Sequence, residues 1–174
     1  QEVARLLLCA PEDLRAFVAI GAFAGLRPSE IERLQWEHVD LVEGTIELLA
    51  KHAKSAQRRH VVISDNLKNW LSPLAQQFGP VTPRNHHKKL TRAREAAGIQ
   101  TWPHDALRHS FASYHLAFHR DQAELAAQLG HQDTSMLFAH YRQVVARKEA
   151  VHYWNINPPS HPCRQQPAAG LRAA

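Results

Sequence analysis

The chain has 174 residues, with 21 Lys and Arg against 16 Asp and Glu, a net charge of +5 with its 13 histidines counted as neutral. That length suits one domain with a sizeable core, and the cationic excess favours an anionic partner such as nucleic acid. Cys9 and Cys163 stand near opposite ends, which argues against a disulfide framework or a zinc site and fits a reducing compartment, while the apolar runs are too short to span a bilayer.

In chain order, Glu2 to Ala10 and Pro11 to Phe23 read as two helices, with Pro11, Glu12 and Asp13 starting the second and Leu14, Phe17, Val18 and Ile20 turned to a core. Gly25 then ends one helix and Pro28 begins the next, with Ile31, Leu34 and Val39 inward. Arg27 falls at that junction, near the positive end of the following helix, where an arginine gains nothing from the dipole. Either it bridges to Glu30 as a structural pair, or it has another task.

Two strand-like runs follow, Thr45 to Ala50 and Arg59 to Ile63, joined by the basic loop Lys51 to Arg58. A hairpin tip of this kind can carry a lysine toward a bound phosphate, with Lys54 better placed than Lys51; a solvated basic turn is the alternative. Ser64 is expected to cap a helix reaching about Gln77, and the prolines at 80 and 83 mark a loop. From about His86 to Ala97 a basic helix ends at Gly98, and its Lys88, Lys89, Arg92 and Arg94 suit either a DNA backbone or a solvated face.

The stretch Pro103 to Tyr114, PHDALRHSFASY, is the one that packing alone explains least well. Leu107, Phe111, Tyr114 and Phe118 recur at helical spacing, and Arg108 lies off that stripe. His104 and Asp105 precede Arg108 by helical intervals that would place either beside its guanidinium. Asp105 near the helix start and Arg108 on a solvated face would be the purely structural outcome. RDQAELAAQLGH then forms another helix ended by Gly130, and a helical region is expected from Thr134 to His152. His115 and His119 are spaced i, i+4, but no H-E-x-x-H pattern or carboxylate set accompanies them, so no functional metal site is expected. The domain is expected to occupy 1–157, with an extended or mobile tail over 158–174. With Gln at position 1, the chain reads as a fragment or processed product that lacks an upstream domain.

Taken in order, AGLRPSEIERLQWEHVDL, the Lys54 hairpin, ALRHSFASYH, LGH at Leu129 to His131, and HYR at His140 to Arg142 resemble the successive boxes of the tyrosine recombinase (phage integrase) catalytic domain. The likeness runs from about Glu2 to Trp154. It implies a mainly α fold with a small antiparallel β-sheet (α+β). It also implies DNA breaking and rejoining, in which a tyrosine attacks a phosphodiester, forms a 3′-phosphotyrosyl intermediate and frees a 5′-hydroxyl.

On this resemblance Tyr141 is the nucleophile, Arg27 and Arg108 clamp the non-bridging oxygens, Lys54 protonates the departing oxygen, His131 bonds the phosphate, and His104 assists proton transfer. Guanidinium forks stay charged and bind phosphate bidentately, an ammonium can act as general acid, and two fixed arginines can supply the charge that other phosphoryl-transfer enzymes take from magnesium. Lys51, Lys88, Lys89 and Arg92 are expected to hold the DNA backbone. No cofactor or metal is implied; double-stranded DNA is the partner, with self-association on it, in the cytoplasm and at the nucleoid. Two departures from the family pattern stand out. The position three before Arg108 is Asp105, with His104 one earlier, and the interval from His131 to Tyr141 is about one residue long. A catalytically silent DNA-binding module of the same fold is the rival reading.

Overall fold

Small side chains let one helix serve as the axis of the molecule. In the computed structural model, which describes residues 1–49, 58–130 and 145–159, the helix α2 (Glu12–Phe23) buries every residue from Ala16 to Phe23. A helix apolar on all sides has to be surrounded. Packed on it are α1 (Glu2–Cys9), α3 (Pro28–Arg33), α4 (Asp65–Leu71), α5 (His86–Ala96) and α6 (Ala106–His119). Alanines at 16, 19 and 22 and Gly21 keep those approaches short; a Cβ on Gly21 would lie 2.8 Å from Leu107 Cδ1.

Gly25 decides how α6 sits. Its φ of +67° belongs to the left-handed region that glycine enters freely, and a Cβ there would come 2.3 Å from Phe111 Cδ1. The turn between α2 and α3 therefore lies directly on the aromatic face of α6. That contact brings the junction carrying Arg27 to the helix carrying Arg108.

The sheet is antiparallel with order β1-β2-β3, formed by β1 (Val39–Asp40), β2 (Thr45–Leu48) and β3 (Arg59–Val62). Thr45 pairs with Val62, Ile46 with Val61, and Leu48 with Arg59. Ile46, Leu48 and Val61 point into the core, as strand alternation requires. Two strands were expected and three are present. Val39, expected inward on a helix, instead pairs with Ile46 in β1, because α3 stops at Arg33. Asp40 Oδ1 then accepts from the Val42 and Glu43 amides, each at 2.8 Å, which turns the chain into β2.

The helix expected to reach Gln77 ends at Leu71. Ser72 still has helical dihedrals and its amide reaches the Lys68 carbonyl at 2.9 Å, but Pro73 has no N–H to continue the ladder. Beyond α7 (Gln122–Leu129), the described part of the helical region expected over Thr134 to His152 begins outside a helix at Val145 and the extended Ala146, and α8 (Arg147–Trp154) follows. It lies on α6 of its own domain. There Tyr153 hydroxyl donates to the Ala22 carbonyl, and Trp154 joins an aromatic cluster with Phe23, Phe111 and Phe118. The chain after α8 is pinned to α4 by Trp70 Nε1 donating to the Ile156 carbonyl at 3.0 Å.

Candidate active site

Arg108 enters the core rather than solvent. It lies in the first turn of α6 with only 3 % of its surface exposed. Nη1 donates to the Gly25 carbonyl at 2.7 Å and Nη2 to the Leu129 carbonyl at 2.8 Å. Both acceptors are at helix C-terminal ends, where unpaired carbonyls and the negative pole of the dipole favour a cation. A planar guanidinium can satisfy two such ends at once. It thereby ties the turn just before Arg27 to the end of α7 just before His131.

Arg27 is the N-cap of α3 and keeps 21 % of its side chain exposed. Its backbone amide donates to Glu30 Oε2 at 2.9 Å, and its Nη1 lies 3.4 Å from Glu30 Oε1. The pairing of Arg27 with Glu30 expected from their spacing is present. Glu30, however, is 1 % exposed and has a closer partner in Arg59, whose Nη1 and Nη2 donate to the two carboxylate oxygens at 3.1 and 2.9 Å. Burial pushes the Glu30 carboxyl upward; the Arg59 hydrogen bonds and charge, the Arg27 amide and the Arg108 charge outweigh it and hold the group below its ordinary value. The site is thus a cluster of three arginines around one carboxylate.

The sequence had pointed to Arg27, Glu30 and Arg108 but not to Arg59. A signal for it was there: Arg59 shares the period-2 face of Val61 and Ile63, both buried. An arginine in register with core residues has to find a buried counter-charge.

His104 differs from expectation in geometry. The helix begins only at Ala106, with Asp105 as a left-handed N-cap at φ +54°. The i, i+4 relation between His104 and Arg108 does not form. The His104 ring is 94 % exposed and its Nδ1 lies 3.4 Å from Asp105 Oδ2. His104, Asp105 and Arg108 nevertheless line one cleft of about 310 Å³ with Leu26, Pro28 and Trp102.

On α5 the four basic residues divide. Lys88 and Arg92 are exposed and one helical turn apart. Lys89 pairs with Asp13, and Arg94 stacks 4.9 Å over the Trp102 ring. Lys51, Lys54, His131 and Tyr141 lie outside the described residues. Of the chain's three tyrosines, the other two are engaged: Tyr114 and Tyr153 stack with centroids 4.1 Å apart, and burial raises the pKa of both phenols, that of Tyr153 well above its ordinary value. Among the described residues, Glu32, His86 and His87 bring potential metal ligands within 4.8 Å of one another. His86 Nε2 is already 3.1 Å from Glu32 Oε1, and the N-terminal pole of α5 opposes a cation there.

Residues 1–148 match the sequence model of the phage integrase family. The chain belongs to this family. Among curated relatives, this integrase-family chain is 26 % identical to tyrosine recombinase XerC of Serratia marcescens, over 85 % of the chain and 52 % of XerC. It is 32 % identical to XerC of Pseudomonas savastanoi pv. phaseolicola, over 67 % of the chain and 44 % of that protein. The chain thus spans about half the length of the curated relatives it matches. Among solved structures, the catalytic domain of bacteriophage HP1 integrase aligns with a TM-score of 0.66 at 26 % identity, over 88 % of this chain and 91 % of that one. XerA recombinase aligns with a TM-score of 0.68 at 22 % identity, over 87 % of this chain and 60 % of that one. The mainly helical integrase fold with its small antiparallel sheet is as expected. No described helix is long and apolar enough to cross a membrane.

Proposed function

We propose that this domain, ending near Asn157, breaks and rejoins DNA as the catalytic part of a site-specific recombinase. The observation that carries the reading is the Arg108 guanidinium bonded to both the Gly25 and Leu129 carbonyls. Segments far apart in sequence, leading to Arg27 and to His131, are joined through the side chain of a third box. A buried guanidinium held in this way keeps its charge close to Arg27, which supports a phosphate-binding centre.

In this reading Tyr141 attacks the phosphorus and the 5′-oxygen leaves, giving a 3′-phosphotyrosyl ester. The phenol proton passes to a base, for which His104 is our candidate. Lys54 gives a proton to the departing oxygen, and the reverse attack of a 5′-hydroxyl reseals the strand. Arg27 and Arg108 supply positive charge as the phosphoryl oxygens gain negative charge, and His131 adds a donor. The engagement of Tyr114 and Tyr153 in packing favours Tyr141 as the nucleophile. Two arginines at the phosphate favour a metal-independent reaction. Lys51, Lys88 and Arg92 hold the flanking backbone, and Lys89, already paired with Asp13, contributes less to it. Protomers are expected to associate on double-stranded DNA in the cytoplasm, at the nucleoid.

The deciding experiment is covalent trapping on a pool of nicked duplexes in EDTA, where a short 5′-hydroxyl fragment diffuses away and the intermediate accumulates. An adduct mapped to Tyr141, and lost in Tyr141→Phe while DNA binding persists, is the expected result. Binding without any adduct would instead favour a silent DNA-binding module. A duplex with sulfur replacing the leaving oxygen identifies the acid, because a thiolate departs without a proton. Such a duplex should restore cleavage to Lys54→Ala; rescue of Lys51→Ala alone would move that role to Lys51.

A further inference from the structure

We propose that Arg59 is a positioning residue of the strand-transfer site: by occupying both oxygens of Glu30 it leaves the Arg27 guanidinium available to the scissile phosphate, and through Gln128 it fixes the end of α7. The inference rests on the reading of Arg27 given above.

All three guanidinium nitrogens of Arg59 are used. Nη1 and Nη2 hold the two Glu30 oxygens at 3.1 and 2.9 Å, and Nε donates to the Gln128 carbonyl at 3.2 Å. The planar group is therefore fixed between α3 and α7. It is 10 % exposed and Glu30 only 1 %, so their pairing is scarcely screened by water. Gly130 makes room for it, since a Cβ there would lie 2.9 Å from Arg59 Nη1. A side chain at the position before His131 would displace the clamp.

The consequence for Arg27 follows from charge. A buried carboxylate needs a counter-charge. With Arg59 present, the bidentate pair meets that need, and besides the Arg27 backbone amide at 2.9 Å only one longer contact of 3.4 Å links the Arg27 guanidinium to Glu30. Without Arg59, Glu30 would have Arg27 as its adjacent cation and would draw that guanidinium off the phosphate. The loss would fall on the chemical step, where Arg27 acts, more than on DNA affinity, which many phosphate contacts share.

A purely structural salt bridge and this role differ in the double variant. In Arg59→Gln, Glu30 keeps its charge and captures Arg27. In Glu30→Gln/Arg59→Gln that charge is gone and Arg27 is released. The measurement is the single-turnover rate of Tyr141 adduct formation on nicked duplex, alongside the DNA dissociation constant and the melting temperature of each variant. Arg59→Gln is expected to slow adduct formation by about 100-fold, the usual scale for losing one transition-state donor, with DNA affinity changed much less. The double variant should recover at least about tenfold of that loss, against the additive decline expected of lost packing. Arg59→Lys, which keeps the charge without the fork, should fall between.

If Arg59→Gln does not fold, the double variant still decides, because replacing a whole buried ion pair is tolerated better than removing one member. It must then fold and cleave faster than Glu30→Ala/Arg27→Gln, which lacks the Arg27 guanidinium. Wild-type rates in Arg59→Gln, or a double variant no faster than the single one, would overturn the role of Arg59 alone. Wild-type protein that binds DNA yet forms no Tyr141 adduct would overturn the reading of the site and this role with it.

Discussion

His115 should make the domain acid-sensitive well above the pH at which its carboxylates titrate. The ring is 2 % exposed within α6, and its Nδ1 has no hydrogen-bond partner among the described residues. Burial, and next the charge of His119 with centroids 4.4 Å away, lower its pKa from 6.5 to about 4, although Asp121 pulls the other way. Unfolding releases the ring to water, where it binds a proton near pH 6.5; between that value and 4 the unfolded chain holds more protons than the folded one, so stability falls as pH falls. The two values give a loss of about 2 kcal/mol between pH 7 and 5 and about 3 kcal/mol by pH 4, below which the effect levels off.

His115→Leu removes the titration while keeping an apolar side chain against Phe111 and Trp154. Urea unfolding followed by tryptophan fluorescence, repeated from pH 7.5 to 4.5 on both proteins, cancels every other titrating group in the difference. The stability gap should move by about 2 kcal/mol in favour of His115→Leu between pH 7 and 5. Parallel stability curves would refute the reasoning, and would mean that the buried ring finds a partner for its proton.

Glycine positions give a second test. Gly25→Ala meets both a positive φ and Phe111, and should destabilise by about 3 kcal/mol or more; Gly98→Ala, with the same φ of +67° but nothing within 4 Å of a Cβ, should cost only about 1–2 kcal/mol. Equal losses on thermal melting would mean that α6 can retreat from the turn. For the basic helix, Lys88→Ala and Arg92→Ala should each lower the slope of log affinity against log salt by about 1, whereas Lys89→Ala should lower it less, because Asp13 already neutralises that ammonium. An equal effect of all three in a fluorescence-anisotropy titration would show that DNA displaces the Asp13 pair.

Much of the fold was legible because its signals are local. Gly25, Gly98 and Gly130 stop helices where a left-handed residue is needed, and Pro28 starts one. Runs rich in Val, Ile, Leu and Thr marked β2 and β3. The end of α4 was misplaced because hydrophobic spacing continues to Leu74 past Pro73, and the missing N–H of Pro73 outweighs that spacing. The third strand was missed because a pair as short as Val39–Asp40 carries no pattern of its own and exists only through β2.

By itself, the sequence determined which residue types stand at which intervals, Arg27, Arg108 and the boxes around them, because order and spacing along the chain are covalent facts. Only the tertiary structure decided how those groups are held. The burial of Arg108 depends on two carbonyls from separate helix ends, the exposure of His104 on a helix that starts at Ala106, and the claim of Arg59 on Glu30 on a strand meeting α3. A charge acquires its strength and its free valence from the neighbours that fold around it, and no local pattern encodes those neighbours.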